Sequence, residues 1–183
     1  MKKILLATLG LLMAGSLMAQ GAKLPDNVTL KTLDGKSVPS SVIKNDGKPV
    51  VISFWATWCG PCMLELKTIR EQYDEWVEET GVKMYIVSID DARTAARVKG
   101  VAEKQGWSDT GDDEYKHYYE VLLDSNRDFA TALGIGQDPP HTFVINGDGE
   151  IVWQHKGYQP GAEEEVYDLL LSISAKQHKN KQY

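Results

Sequence analysis

Cys59 and Cys62 are the only two cysteines of the chain, set three positions apart in Trp58-Cys59-Gly60-Pro61-Cys62. Three chemistries suit such a pair: a structural disulfide, part of a metal site, or reversible dithiol–disulfide exchange. A bridge this short removes little chain entropy, less than the roughly 3 kcal/mol associated with a loop of about 15 residues. A structural zinc needs four ligands, and none of His117, His141, His155 and His178 stands at a paired ligand spacing from another. A copper-type site using both cysteines and one distant histidine stays open as an alternative.

Exchange accounts for more of the pattern. The β-branched run Val50 to Phe54 reads as a buried strand, and helical spacing begins just after the cysteines. Cys59 is thereby placed at a helix N-terminus, where unpaired N–H groups and the helix dipole favour a thiolate. Cys62, one turn later, can reach back to the same sulfur. Pro61 suits a first turn, which does not need its missing N–H. Gly60 lets a partner's backbone approach closely.

The elements that must hold this motif are legible from periodicity. Val28 to Lys31 and Val38 flank Asp34-Gly35, which predicts a β-hairpin. Met63, Leu66, Ile69, Tyr73, Trp76 and Val77 predict a helix that stops at Gly81. Met84 to Ile89 reads as a second buried strand, completing a βαβ unit with parallel strands. A helix is expected over Ala92 to Gln105, then an irregular acidic stretch from Trp107 to Lys116. A short strand from Tyr119 to Leu122 and a brief helix from Asn126 to Leu133 follow. Thr142 to Ile145 and Glu150 to Gln154 flank the turn Asn146-Gly147-Asp148-Gly149, and Ala162 to Ser174 closes the chain as an amphipathic helix. The sum is a mixed α/β sheet with helices on both faces. The stretch from Trp107 to Tyr119 reads as a solvated loop, and as the place for partner specificity if the molecule has one.

At these residues the chain resembles the thioredoxin superfamily, whose active-site sequence is Trp58-Cys59-Gly60-Pro61-Cys62. More narrowly it resembles the extracytoplasmic TlpA/ResA-like branch. The leader, the early hairpin, "FWATWC" and "PPHTFVINGDGEIVWQHKGY" carry that likeness over Lys23 to Ser174. The resemblance implies a thioredoxin-like three-layer α/β/α fold with a mixed central sheet and an N-terminal β-hairpin extension. It implies a protein disulfide reductase or oxidoreductase in which Cys59 attacks and Cys62 resolves a mixed disulfide. A thiol peroxidase-like antioxidant and a metallo-chaperone are the alternatives, although both sulfurs lie in the CxxC and no isolated peroxidatic cysteine exists.

Further site residues follow from the same resemblance. Glu65, three residues after Cys62, matches the branch's glutamate and would carry the proton of the buried thiol. Pro140 matches a cis-proline facing the disulfide, and Pro139 before it would meet the substrate backbone, with a carbonyl but no N–H. Trp58, Gly60 and Pro61 complete the expected substrate surface, whereas Trp55 is expected in the core and His141 is expected to point away. The buried acid of thioredoxin itself falls on Ser53, which has no carboxyl. The branch's helix-bending proline falls on Lys67, predicting a straighter helix. Gly60-Pro61 is a reductant's dipeptide; thioredoxin lies at about −270 mV against about −120 mV for a strong oxidant.

Length and charge agree with this scheme. The 183 residues suffice for one domain, expected over 23–175, with a tail at 176–183. Met1-Lys2-Lys3 and the charge-free run Ile4 to Met18 read as a signal peptide over 1–20, with a retained anchor as the alternative. That address is periplasmic or otherwise extracytoplasmic, where cysteines are oxidised unless kept reduced. Expected partners are protein thiols or disulfides, apocytochrome c among them, and a membrane thiol reductase as electron donor. A net charge of −6 with no basic stripe argues against nucleic acid. No phosphate loop or dinucleotide fingerprint appears, so no cofactor is expected beyond the Cys59–Cys62 pair, and the protein is expected to be a monomer.

Overall fold

The computed structural model describes residues 21–109 and 117–180, with side chains described as far as 177. The leader expected over 1–20 therefore lies outside the described residues, as do 110–116 of the acidic stretch and 181–183 of the tail.

The chain opens with the expected hairpin, β1 (Thr29–Thr32) and β2 (Ser37–Pro39). Gly35, at φ 84°, supplies the left-handed residue between them. Next come β3 (Val50–Trp55), α1 (Gly60–Thr80) and β4 (Lys83–Ser88), the parallel βαβ unit. β5 (Glu120–Leu123) joins β4 in parallel, while β6 (His141–Ile145) and β7 (Ile151–Lys156) add antiparallel strands on the other side. The seven strands lie in the order β2-β1-β5-β4-β3-β6-β7.

Every residue of β3 is buried, as befits a strand covered on both faces. The two faces separate cleanly by alternation along it. Ser53 points towards α1, whereas Phe54 packs on Phe129 at 5.7 Å between ring centroids. Phe129 lies in α3 (Asp128–Ala132), so α3 covers the face opposite α1. The closing helix α4 (Ala162–Asn180) packs beside α1. This is the three-layer α/β/α arrangement with a mixed sheet and an N-terminal hairpin.

Three boundaries differ from the sequence expectation. In place of one helix over Ala92 to Gln105, a turn leads through a 3-10 stretch at Ala95–Arg97 into α2 (Val98–Lys104). The cause is local competition: the Asp91 carboxylate accepts from the Arg93 amide at 3.0 Å, an alternative to helical pairing. α3 starts later than Asn126 because Arg127 sits at φ 63°, and the Asp124 carboxylate accepts from the Phe129 and Ala130 amides. α4 runs on past Ser174 to Asn180, through residues expected to form a tail.

The largest correction concerns Trp107 and Tyr119, expected in a solvated loop. Trp107 is fully buried and Tyr119 nearly so. Trp107 meets Trp55 edge-on at 5.2 Å, and Tyr119 meets Tyr73 edge-on at 4.9 Å. The Tyr119 hydroxyl donates to the Leu66 carbonyl at 3.0 Å, tying this segment to the middle of α1. Aromatic rings of this size dominate core energetics, so the ends of the stretch serve the fold rather than a partner.

Candidate active site

The site begins where β3 hands over to α1. Cys59 is the N-cap residue of α1, at φ −94° and ψ 99°, and Pro61 occupies the first turn. Cys59 and Cys62 form a disulfide. The Cys62 amide points at the Cys59 sulfur from 3.2 Å, one of the donors a helix N-terminus leaves unpaired. Upon reduction that amide and the helix dipole would stabilise a Cys59 thiolate. Cys62 is fully buried and Cys59 is 5% exposed, so only Cys59 is open to a partner.

The expected surrounding residues converge here. Pro139 and Pro140 are joined by a cis peptide bond, and the Pro139 carbonyl oxygen lies 3.5 Å from the Cys59 sulfur. In the disulfide this is a contact without a proton; a reduced Cys59 thiol could donate to that carbonyl. Gly60 and Pro61 are exposed. Trp58 is 59% exposed beside the disulfide, and Leu64 in the second turn of α1 is 51% exposed. Trp55, by contrast, is wholly buried. His141 stacks on Phe143 at 4.9 Å, on the face of β6 opposite Thr142, and thus away from Glu65.

Glu65 is buried on the inner face of α1, one turn beyond Cys62. Its two carboxylate oxygens accept from Ser53 Oγ at 3.0 Å and Thr142 Oγ1 at 2.8 Å. Ser53 and Thr142 are direct partners across the β3–β6 register, so both hydroxyls leave the sheet side by side towards α1. Burial pushes the Glu65 carboxyl up to about 7, the nearby Glu163 charge adds to the rise, and the two hydroxyls oppose it. An acid in that range can hold or release a proton at neutral pH.

Two parts of this arrangement escaped the sequence. Ser53 lacks the carboxyl expected at its position, yet it is a donor to the carboxyl that is present. Thr57 and Asp90, neither singled out by motif, are joined just before Cys59: the Asp90 carboxylate accepts from both the amide and the hydroxyl of Thr57. The only sequence signal was a polar residue two positions beyond each buried strand. α1 runs through Lys67 without a break. Among the described residues no three His, Cys, Asp or Glu side chains gather as metal ligands, leaving Cys59 and Cys62 without a third.

Comparison with known proteins agrees with this geometry. The pattern of the Redoxin family matches residues 19–171. The thiol-disulfide oxidoreductase ResA of Bacillus thuringiensis (strain Al Hakam) is 30% identical over 141 residues, spanning 77% of this chain and 72% of that protein. An uncharacterised thioredoxin-like protein from Porphyromonas gingivalis superposes with a TM-score of 0.70 at 41% identity, covering 86% of this chain and 95% of the other. A candidate thiol:disulfide interchange protein DsbE from Chlorobium tepidum shares the fold, with a TM-score of 0.63 at 24% identity over 85% of this chain and 97% of its own. The chain therefore belongs to the redoxin family, as a thiol–disulfide oxidoreductase of the ResA/TlpA-like branch of the thioredoxin superfamily.

Proposed function

We propose that the protein is an extracytoplasmic reductase of protein disulfides. The observation that carries this reading is the Cys59–Cys62 disulfide at the start of α1, with one sulfur accessible, the other buried, and Glu65 a turn away. In the reduced protein the Cys59 thiolate attacks one sulfur of a substrate disulfide. The substrate S–S bond breaks, and its other sulfur leaves as a thiolate that takes a proton. Cys62, relieved of its proton by Glu65, then attacks Cys59, releasing the second substrate thiol and closing the Cys59–Cys62 bond. Two electrons pass to the substrate, and a dithiol donor must return them.

No cofactor beyond the two sulfurs enters this sequence. Trp58, Gly60, Pro61 and Pro139 form the surface on which the substrate sits, with Pro140 buried behind Pro139 at the cis bond. The charge-free run Ile4 to Met18 supports export, and a membrane-embedded thiol reductase is the donor that fits that address. Among the described residues no helix is long and apolar enough to cross a membrane. The substrate class is protein disulfides, with apocytochrome c the first to test.

A Cys62→Ala trap in native envelope tests the exchange step: mixed disulfides through Cys59 are expected, and their absence would overturn it. Equilibration with glutathione buffers tests direction. A potential near that of thioredoxin, about −270 mV, supports a reductase, and one near about −120 mV excludes it.

A further inference from the structure

Asp90 lies two residues beyond β4 and is completely buried, yet no basic side chain pairs with it among the bonds it accepts. One carboxylate oxygen accepts from the Thr57 amide at 2.8 Å and from Ser88 Oγ at 2.9 Å. The other accepts from Thr57 Oγ1 at 2.6 Å. The Asp90 amide donates back to Ser88 Oγ at 3.1 Å, and the neighbouring Ile89 amide donates to the Trp55 carbonyl at 2.8 Å. Burying a carboxylate is costly unless donors replace its water, and hydrogen bonds to an ionised group are the strong ones. Here two of the three donors belong to a single residue, Thr57, two positions before Cys59.

That placement matters because of the short turn that Thr57 occupies. Residues 56–59 link β3 to α1, closed by the Cys59 amide donating to the Ala56 carbonyl at 3.0 Å. Within the turn Ala56 and Cys59 are buried, whereas Thr57 is half-buried and Trp58 exposed, so the middle of the turn has the least packing to hold it. Asp124 makes a useful contrast. It stands directly after β5, where its carboxylate accepts from the Phe129 and Ala130 amides and so caps α3 instead.

We propose that Asp90, through Thr57, is a positioning residue that holds the Cys59 sulfur over the N-terminus of α1. With Thr57 fixed by its amide and hydroxyl together, the turn cannot rotate about either bond alone. The Cys59 sulfur then stays in line with the Cys62 amide, and a thiolate formed there keeps its stabilisation. The proposal rests on Cys59 being the attacking sulfur.

The experiment compares Thr57→Val, Thr57→Ser and Asp90→Ala with the unaltered protein, all reduced, by iodoacetamide alkylation of Cys59 at neutral pH. Thermal melts and near-ultraviolet circular dichroism report folding alongside. Thr57→Val keeps the side chain's shape and should slow alkylation roughly three- to tenfold by lowering the thiolate fraction. Thr57→Ser restores the hydroxyl and should restore the rate. Asp90→Ala should slow alkylation at least as much; if it does not fold, the Val/Ser pair decides alone. A folded Thr57→Val protein alkylating at the unaltered rate, or Thr57→Ser slowed equally, overturns the brace. Equal labelling of Cys59 and Cys62 in the unaltered protein overturns the underlying assignment and the brace with it, a result distinguishable from failure of the brace alone.

Discussion

The Thr142 hydroxyl donates to the Glu65 carboxylate at 2.8 Å, joining two residues 77 positions apart in the chain. With Ser53 on the other oxygen, it lets an acid on α1 face the sheet rather than solvent. A consequence for stability follows from the direction of the shift. Glu65 ionises near its ordinary value of 4.5 when unfolded and near 7 when folded, so between those values the folded state holds the extra proton. Stability from this group is full below about 4.5, falls as pH rises, and is lost above about 7, by about 3 kcal/mol. Urea unfolding at pH 5 and pH 8 should show that difference, and Glu65→Gln should shrink it.

The same carboxyl should shape the rate of exchange. In the unaltered protein, reduction of a protein disulfide should follow an ionisation near 7, the value burial gives Glu65. Glu65→Gln should remove that inflection and slow turnover at neutral pH by about 10²-fold, the lower end for a lost general acid–base group. An insulin-reduction pH profile of both proteins checks this.

Trp58 and Leu64 are the exposed large apolar side chains flanking the disulfide. Trp58→Ala should weaken reduction of a protein disulfide while leaving reduction of a small aromatic disulfide nearly unchanged. Parallel kinetics with the two substrates separate contact with a partner from damage to the sulfurs.

Trp107→Ala should cost about 3–5 kcal/mol in urea unfolding, the range for deleting a buried tryptophan. The same change in a solvated loop would cost almost nothing, so the measurement distinguishes the packed segment from the loop that its composition suggested.

Two glycines should respond with opposite signs. A Cβ at Gly147 would overlap the Gly47 carbonyl and the Gln177 side chain, and backbone cannot give way easily. Gly147→Ala should therefore destabilise by about 1–3 kcal/mol. Gly100, inside α2, has open space where its Cβ would go, and Gly100→Ala should stabilise by about 0.5–1 kcal/mol. Thermal melts of both variants test the pair.

Much of the molecule was legible in local patterns. Trp58-Cys59-Gly60-Pro61-Cys62 carries its chemistry in adjacent residues, and its setting between β3 and α1 follows from β-branched and helical spacing over neighbouring positions. The βαβ unit, the hairpin and the stop at Gly81 are local in the same sense. Helix ends were less legible at α2 and α3, where Asp91 and Asp124 compete for backbone amides, and spacing of apolar residues does not report that competition.

What the tertiary structure alone decided depends on residues far apart in the chain. Glu65 could have been a solvated acid on a helix; only the β3–β6 register, which sets Ser53 opposite Thr142, gives its buried carboxyl two donors. Asp90 reads as the first acid after a strand until Thr57 is seen upon it, and Trp107 as part of a polar loop until Trp55 is found beneath it. The sequence by itself determined the two sulfurs and the helix that activates them, because those depend on neighbours along the chain. The proton-bearing acid and the brace behind Cys59 were decided by strand pairing and burial, which set the environment of a side chain without altering its local pattern.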